Sequence, residues 1–459
     1  GLADISSQVV GVDDPSQLTA EQSRELYEHL DKAIEVDGNN VIFHLPKPNP
    51  TFMSAIVHDN GLGAIIDKEW SIEQGAWDGS PESIPEYYDL AKEEDALHEN
   101  TNGTGPFELN TWEKGQRIAL DRFDGYWREP AQLQRVIINY IDEWSTRKLM
   151  LQRGDADVVY MDKQYQSQVE ELDGVELITG LPNLYTGYGL MNWTIDTQGN
   201  QDVHSGELDG NGIPSDFFAD IDVRKAFNYA MNYDAFVKDV MDGDGQQARG
   251  PIPEPFLGWE EDSPVYTMDL AKAEEHFKQA FDGELWEKGF EITILYNTGN
   301  SMRQTASQML KYNIEQINPK FKVNMRGIQW GSYLDRLVAG KFTLGFIGWG
   351  ADYADPHNFT VPFMRTDGTF GAFKGENYAE FAAEHNIDEL VNSGVETTVL
   401  EEREDIYTNL QNLAYEYATD IYLYQPTAHI LMRDWVQGWE YDPILHDGIY
   451  YYNIYKAQE

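Results

Sequence analysis

The chain has 459 residues, 41% hydrophobic and 24% charged, which is too apolar for disorder and long enough for two to four domains of about 150 residues. Asp and Glu outnumber Lys and Arg 79 to 33, giving a formal net charge of −46, so neither nucleic acid nor an anionic lipid surface is an expected partner. Cysteine is absent, which excludes disulfide scaffolds, thiolate zinc sites and cysteine nucleophiles. The acidic excess suits a salt-adapted or an extracytoplasmic protein and does not choose between them.

In chain order, residues 1–13 lack the basic start and apolar stretch of a signal peptide. Residues 20–34 place Leu26, Leu30 and Ile34 on one face and predict a surface helix. Residues 40–45 read as a strand ended by the proline-rich 47–50, and 81–98 as another helix. The glycine-rich turn at 102–106 marks a boundary. Beyond it, 107–112 and 117–123 form a hairpin around 113–116, and 136–141 is a strand followed by a helix at 145–153. Strands are expected at 156–160, 175–179 and 185–191, the last an aromatic-glycine segment where another group can approach the backbone. The Asp-, Asn- and Gly-rich 196–220 reads as an inserted loop. Helices near 222–241, 269–281, 302–317 and 331–339 then alternate with strands near 291–296, 321–326 and 342–347, a pattern for α/β layering. Residues 421–432 and 449–455 close the chain as strands. No run of about 18 apolar residues reads as a membrane span.

The ten histidines are scattered, without HExxH or an i, i+4 pair, so a catalytic zinc site is not expected. Neither GxSxG nor GxxxxGK[ST] occurs, which leaves serine-hydrolase and P-loop chemistry without support. Among so many carboxylates no glycosidase pair stands out. Asp196, Gln198, Asn200, Asp202 and Glu207 have the oxygen spacing of a calcium loop, although Gln201 stands where such loops need glycine. A solvated acidic turn is the plainer reading of this segment.

Residues 328–359 carry the most information. Trp330 opens a short helix with Leu334 and Leu337 inward, 341–347 is a buried strand, and the chain leaves it through Gly348, Trp349, Gly350, Ala351, Asp352 and Tyr353. Strand ends in α/β sheets are where ligands bind. Glycine lets a ligand reach the backbone, tryptophan supplies a wall and a carboxylate holds a cation. An Asx turn beside a core tryptophan would give the same residues.

Together with VIFHLPKPNPTFMSAI (41–56), GTGPFELNTW (103–112), LDRFDGYW (120–127), LQRGDADVV (151–159) and DVRKAFNYAMNYD (222–234), this segment resembles, in family order, the family 5 extracellular solute-binding proteins. These are the oligopeptide- and dipeptide-binding components of ABC transporters. The resemblance implies an α/β fold of the type II periplasmic-binding-protein kind: two lobes joined by a hinge, plus a smaller subdomain. Residues 1–100 would form the smaller subdomain, 101–195 with 433–459 the first lobe, and 196–432 the second. The family's opening strand and its preceding signal or lipoprotein segment have no counterpart, so the N-terminal part reads as truncated. By the same resemblance, Asp352 would pair with a ligand ammonium group. Trp330 and Trp349 would line the site with Gly348, Gly350 and Tyr353. Tyr185 or Tyr188 would add contacts, Arg303 would meet a ligand carboxylate, and Arg224 would be structural. The implied protein is a non-enzymatic, extracytoplasmic and monomeric receptor without a cofactor, delivering peptides to permease subunits. An oligosaccharide receptor of the same family is the alternative, with nickel-complex binding and a secreted glycoside hydrolase behind it.

Overall fold

The computed structural model describes residues 2–57, 64–91, 93–161, 163–445 and 448–457. The first helices, Leu2–Val10 and Ala20–Asp31, pack Leu26 against Leu18 and Ile84; the second starts at a capping box between Thr19 and Gln22. Strands β1 (Ile34–Asp37) and β2 (Asn40–Phe43) form a hairpin. Ile34, expected in the helix, belongs to this strand. Of the helix expected at 81–98, only short turns at Pro81–Ser83 and Ile84–Tyr87 form. Asp89 adopts φ +55°, and the acidic run after it offers no apolar face to pack.

Strands β3 (Phe107–Glu113), β4 (Arg117–Arg122) and β5 (Arg135–Asn139) make an antiparallel sheet. Helix Trp144–Arg153 ends at Gly154, whose φ of +77° suits a glycine cap. Strands β6 (Val158–Val159), β7 (Val175–Pro182), β8 (Tyr185–Met191) and β9 (Gly245–Gln246) follow. Then come β10 (Phe290–Asn297), β11 (Phe321–Ile328), β12 (Leu344–Gly350) and β13 (Ile421–Arg433).

The large sheet runs β11-β10-β12-β8-β13, with β6, β7 and β9 also paired to β13. Its parallel part, β11-β10-β12, is wound by helices Ser301–Ile317 and Trp330–Val338. Strand β8 lies antiparallel between β12 and β13. The long β13 divides its partners: residues 421–424 pair with β8, whereas 427–433 pair with β7. The chain therefore passes between two parts of the sheet at adjacent points, 182–185 and 424–427. Gln425, buried there, donates to the Asn183 and Glu254 carbonyls at 3.0 and 2.8 Å and accepts from Glu254 N at 3.0 Å. On one side of this crossing lies the main core, from Tyr188 to Tyr424 in sequence; on the other, a smaller one formed by Trp144, Leu151, Met161, Val169 and Leu431.

Helices His357–Met364, Glu376–Glu384, Ile387–Glu396 and Leu400–Glu416, for which the pattern gave no expectation, complete the main layer. The helix expected over 222–241 stops at Ala230 and restarts at Tyr233, because Asn232 caps a new turn by accepting from Ala235 N. The expected strand at 449–455 is mostly turns, with only Tyr455–Lys456 pairing to Val436–Gln437. Within 196–220, Ile213, Phe217 and Phe218 are fully buried, so this loop supplies core. Arg224 is structural: its guanidinium donates to the Phe218, Ala219 and Tyr417 carbonyls and stacks on Trp193 at 3.5 Å.

Lys374 and Asp420 form an ion pair at 2.6 Å with both side chains at zero exposure. Lys374 also donates to the Phe363 carbonyl at 3.0 Å, and Met191 N donates to Asp420 at 3.3 Å. The pair thus joins the end of helix 357–364 to β8 and to the start of β13. Removing one partner of such a pair strands a buried charge. Lys374→Met is expected to lower the unfolding free energy by about 3–5 kcal/mol in urea titration. A Lys47→Met change at the exposed Lys47–Glu396 pair should cost less than about 1 kcal/mol.

Candidate functional site

Strand β12 is buried from Leu344 to Ile347 and emerges at Gly348, Trp349 and Gly350. Its neighbour β8 runs antiparallel, with Gly348 opposite Gly187 and Gly350 opposite Tyr185. The Tyr185 ring lies over Gly348: a Cβ there would stand 1.7 Å from the tyrosine hydroxyl oxygen. Gly187 makes the same room for Tyr424, where a Cβ would stand 2.1 Å from the ring. The two tyrosine rings, 5.9 Å apart, form an aromatic floor at this end of the sheet. Burial, then the neighbouring Tyr185, pushes the Tyr424 hydroxyl well above its ordinary pKa, and the positive charge of Arg303 opposes this.

Arg303 sits in the first turn of helix Ser301–Ile317, just beyond β10. It donates to Asn297 Oδ1 at 2.7 Å and lies 5.7 Å from the Trp330 ring centroid. Trp330 is 42% exposed and packs at 5.9 Å on Tyr333, whose hydroxyl is tied to the Phe346 carbonyl. Trp349 has the opposite situation. Its ring meets Phe363 and Phe370 edge-on, and its Nε1 donates to Asn358 Oδ1 at 3.0 Å.

After Gly350 the chain turns beside β8, with Ala351 N donating to the Leu184 carbonyl at 2.8 Å. Asp352 follows, partly exposed. Among the described residues no cation lies within ion-pair distance of Asp352, and no carboxylate within that distance of Arg303. The next carboxylate, Asp355, is committed: it accepts from Arg403 at 2.8 Å and from His357 N at 2.9 Å. Tyr353 shares a 2.8 Å hydrogen bond with His357 Nδ1. Burial pushes the Tyr353 hydroxyl up to about 12. Burial, then the charges of Arg365 and Arg403, lowers His357 to about 4.

The structure therefore brings Asp352, Tyr353, Gly348, Gly350, Trp349 and Tyr185 to one end of the sheet, with Arg303 and Trp330 at the end of the adjoining strands. Tyr188 does not join them. It is fully buried, stacked on Phe363 at 3.7 Å with its hydroxyl donating to the Pro251 carbonyl, because side chains alternate along β8 and its position is opposite in face to Tyr185. Tyr424, Asn358 and Arg403 were not singled out in the sequence. Asn358 stands two residues after the Asp355-Pro356 pair, a signal visible only once that pair is known to turn the chain back onto Asp352.

The oxygens at 196–209 do not converge. Asp202 faces Arg326 and Arg336, Asp196 faces Lys341 at 3.6 Å, and Asp209 accepts from Ser205 Oγ and Asn211 N, both at 2.8 Å. Among the described residues no group of three or more His, Asp or Glu is placed to hold a metal. A concavity of about 320 Å³ between the helices at 376–384 and 387–396 lies away from the sheet end, and its Asp388 is already bonded to Thr366.

The fold, a sheet whose chain passes between two parts at adjacent strand crossings, is that of the two-lobed type II periplasmic binding proteins. The chain belongs to the bacterial extracellular solute-binding proteins, family 5, whose middle-region model matches residues 8–371. It is 26% identical over 424 residues to the dipeptide-binding protein of Escherichia coli (strain K12), covering 91% of this chain and 70% of that one. It is 24% identical to heme-binding protein A of Haemophilus influenzae, covering 92% and 70%. In fold it matches the periplasmic binding protein DppA of Helicobacter pylori, solved with the peptide STSA, at TM-score 0.66 and 23% identity over 93% of this chain and 74% of that one.

Two outcomes follow from the geometry. Gly348→Ala should cost about 1–3 kcal/mol in stability, and adding Tyr185→Ala should restore part of it; an additive pair in a double-mutant cycle would contradict the ring-over-glycine packing. For His357, the folded value of about 4 lies below the ordinary 6.5, so the unfolded chain binds the extra proton between them. The stability it contributes is present above pH 6.5 and is lost as pH falls toward 4. Between pH 6.5 and 5 wild type should therefore lose on the order of 1.5 kcal/mol more than His357→Gln, measured by urea unfolding.

Proposed function

We propose that this receptor binds peptides, with Asp352 accepting the ligand's α-ammonium group and Arg303 its α-carboxylate, and presents them to the permease subunits of an ABC importer. The observation that carries this reading is the pair of opposite charges at one sheet end, each without an oppositely charged partner among the described residues. A buried ammonium group needs a charge-assisted acceptor, since its desolvation would otherwise cost several kcal/mol. A neutral sugar would use the aromatic floor but leave both charges uncompensated. The peptide-binding names of the relatives, such as the dipeptide-binding protein of E. coli, support the same choice. Closure would occur about the crossings at 182–185 and 424–427, where two short connections join the sheet halves as a hinge does.

Native mass spectrometry of gently purified protein should show adducts spaced by amino-acid residue masses; adducts spaced by hexose would redirect the assignment to sugars. Asp352→Ala should weaken binding of a free-amine peptide by about 30-fold or more, as expected for truncating one partner of a desolvated charge pair. The N-acetylated peptide should bind wild type about as poorly. Unchanged affinity on acetylation would remove the ammonium role.

A further inference from the structure

Asn358 is 5% exposed and is the second residue of helix His357–Met364, six residues after Asp352. Its Oδ1 accepts from two donors at once, Trp349 Nε1 at 3.0 Å and Asp352 N at 2.9 Å. Its Nδ2 donates to Asp352 Oδ2 at 3.2 Å. The orientation of the amide is chemically forced. Two N–H groups require the oxygen on their side, and a carboxylate requires the nitrogen on the other. One side chain therefore fixes the indole, the main chain and one carboxylate oxygen of the site.

No other proteinogenic side chain of this length meets that demand. Aspartate would keep the two acceptor bonds but place a second carboxylate against Asp352. Leucine would keep the shape and leave the indole N–H, the Asp352 N–H and the carboxylate oxygen without these partners. Asn358 is itself held: its N–H donates to the Asp355 carbonyl at 3.0 Å, and the Asp355 side chain is gripped by Arg403.

We propose that Asn358 is a positioning residue: by bonding Trp349, the Asp352 amide and the Asp352 carboxylate together, it holds that carboxylate ready for the ligand's ammonium group. This rests on the reading of Asp352 given above. The asparagine does not touch the ligand. It removes from binding the cost of ordering the aspartate and leaves the second carboxylate oxygen, Oδ1, for the incoming charge.

The test compares the best-bound member of a panel of free-amine di- and tripeptides with its N-acetyl derivative, by titration calorimetry on wild type, Asp352→Ala, Asn358→Leu and Asn358→Asp. Asn358→Leu should weaken the free-amine peptide about tenfold more than it weakens the acetylated one, so that discrimination between the two is lost. A purely structural role would weaken both alike. Asn358→Asp adds a readout that does not depend on the leucine variant folding. Two carboxylates in contact raise the pKa of one of them, so that part of the variant holds a proton at about pH 5, and an arriving ammonium group displaces it. Around the pair stand Tyr353, bonded to His357, and Asp355, bound by Arg403, with Arg365 near His357. Titration at about pH 5 in two buffers of different ionisation enthalpy should show proton release for Asn358→Asp beyond that of wild type. If wild type and Asp352→Ala behave as the peptide reading requires, but Asn358→Leu keeps its discrimination and Asn358→Asp shows no proton release beyond that of wild type, the positioning role is wrong and the peptide reading stands. If wild type does not distinguish the free from the acetylated amine, the reading of Asp352 falls and this inference with it.

Discussion

The buried Lys374–Asp420 pair is the constraint on which the site's framework depends. Neither charge reaches water, so each must be satisfied by a fixed partner. The partners are chosen from three separate stretches of chain: Lys374 itself, the Phe363 carbonyl at the end of one helix, and the Met191 amide at the end of β8. Asn228 adds a bond to the Asp420 carbonyl at 3.3 Å. The helix fixed in this way carries Asn358 at its other end, and the strand fixed in this way carries Tyr185. The two walls of the candidate site are thus referred to one point in the core.

Above that anchor the sheet end is shaped by paired absences. Gly187 and Gly348 stand opposite each other on β8 and β12, and each gives room to a tyrosine ring from another position. Any larger residue at either place would displace that ring. Strand β8 begins, and residues 421–424 of β13 end, at the crossings into the neighbouring part of the sheet, so the aromatic floor and the crossing are built from adjacent residues. Gln425, whose amide bonds span Asn183 and Glu254, closes that crossing at its base.

Two buried ion pairs serve different ends. Lys374–Asp420 ties core elements, while Arg403–Asp355 holds the turn that follows Asp352. That second pair separates two carboxylates only three residues apart in sequence. Asp355 is consumed by the scaffold and Asp352 faces outward. Glycines at the strand end, a hydrogen-bonded Trp349 and an exposed Trp330 then stand beside two groups of opposite charge, Asp352 and Arg303. The His357–Tyr353 bond completes the turn, with burial keeping the imidazole neutral at physiological pH.

Much of this was legible in the sequence, for local reasons. The α/β layering follows from alternating periods, and β8, β10, β11, β12 and β13 follow from short apolar runs bounded by turn residues. The segment 348–353 stood out as glycine, tryptophan and aspartate leaving a buried strand, but an Asx turn beside a core tryptophan has the same residues, and it was the family resemblance that made it a candidate site. Where the sequence misled, tertiary context overrode local pattern: 81–98 had helical composition, but beyond Ile84 none of its described side chains is buried, and Tyr188 shared a strand with Tyr185 but the opposite face. The sequence by itself determined the class of fold, the absence of thiol chemistry and the short list of charged and aromatic candidates, since these depend on residue type and nearest neighbours. Only the tertiary structure decided which aspartate is free, which tryptophan is exposed and which asparagine holds them. Those properties are set by partners distant in the chain, among them Arg403 for Asp355, Arg303 for Trp330, and Phe363 and Phe370 for Trp349.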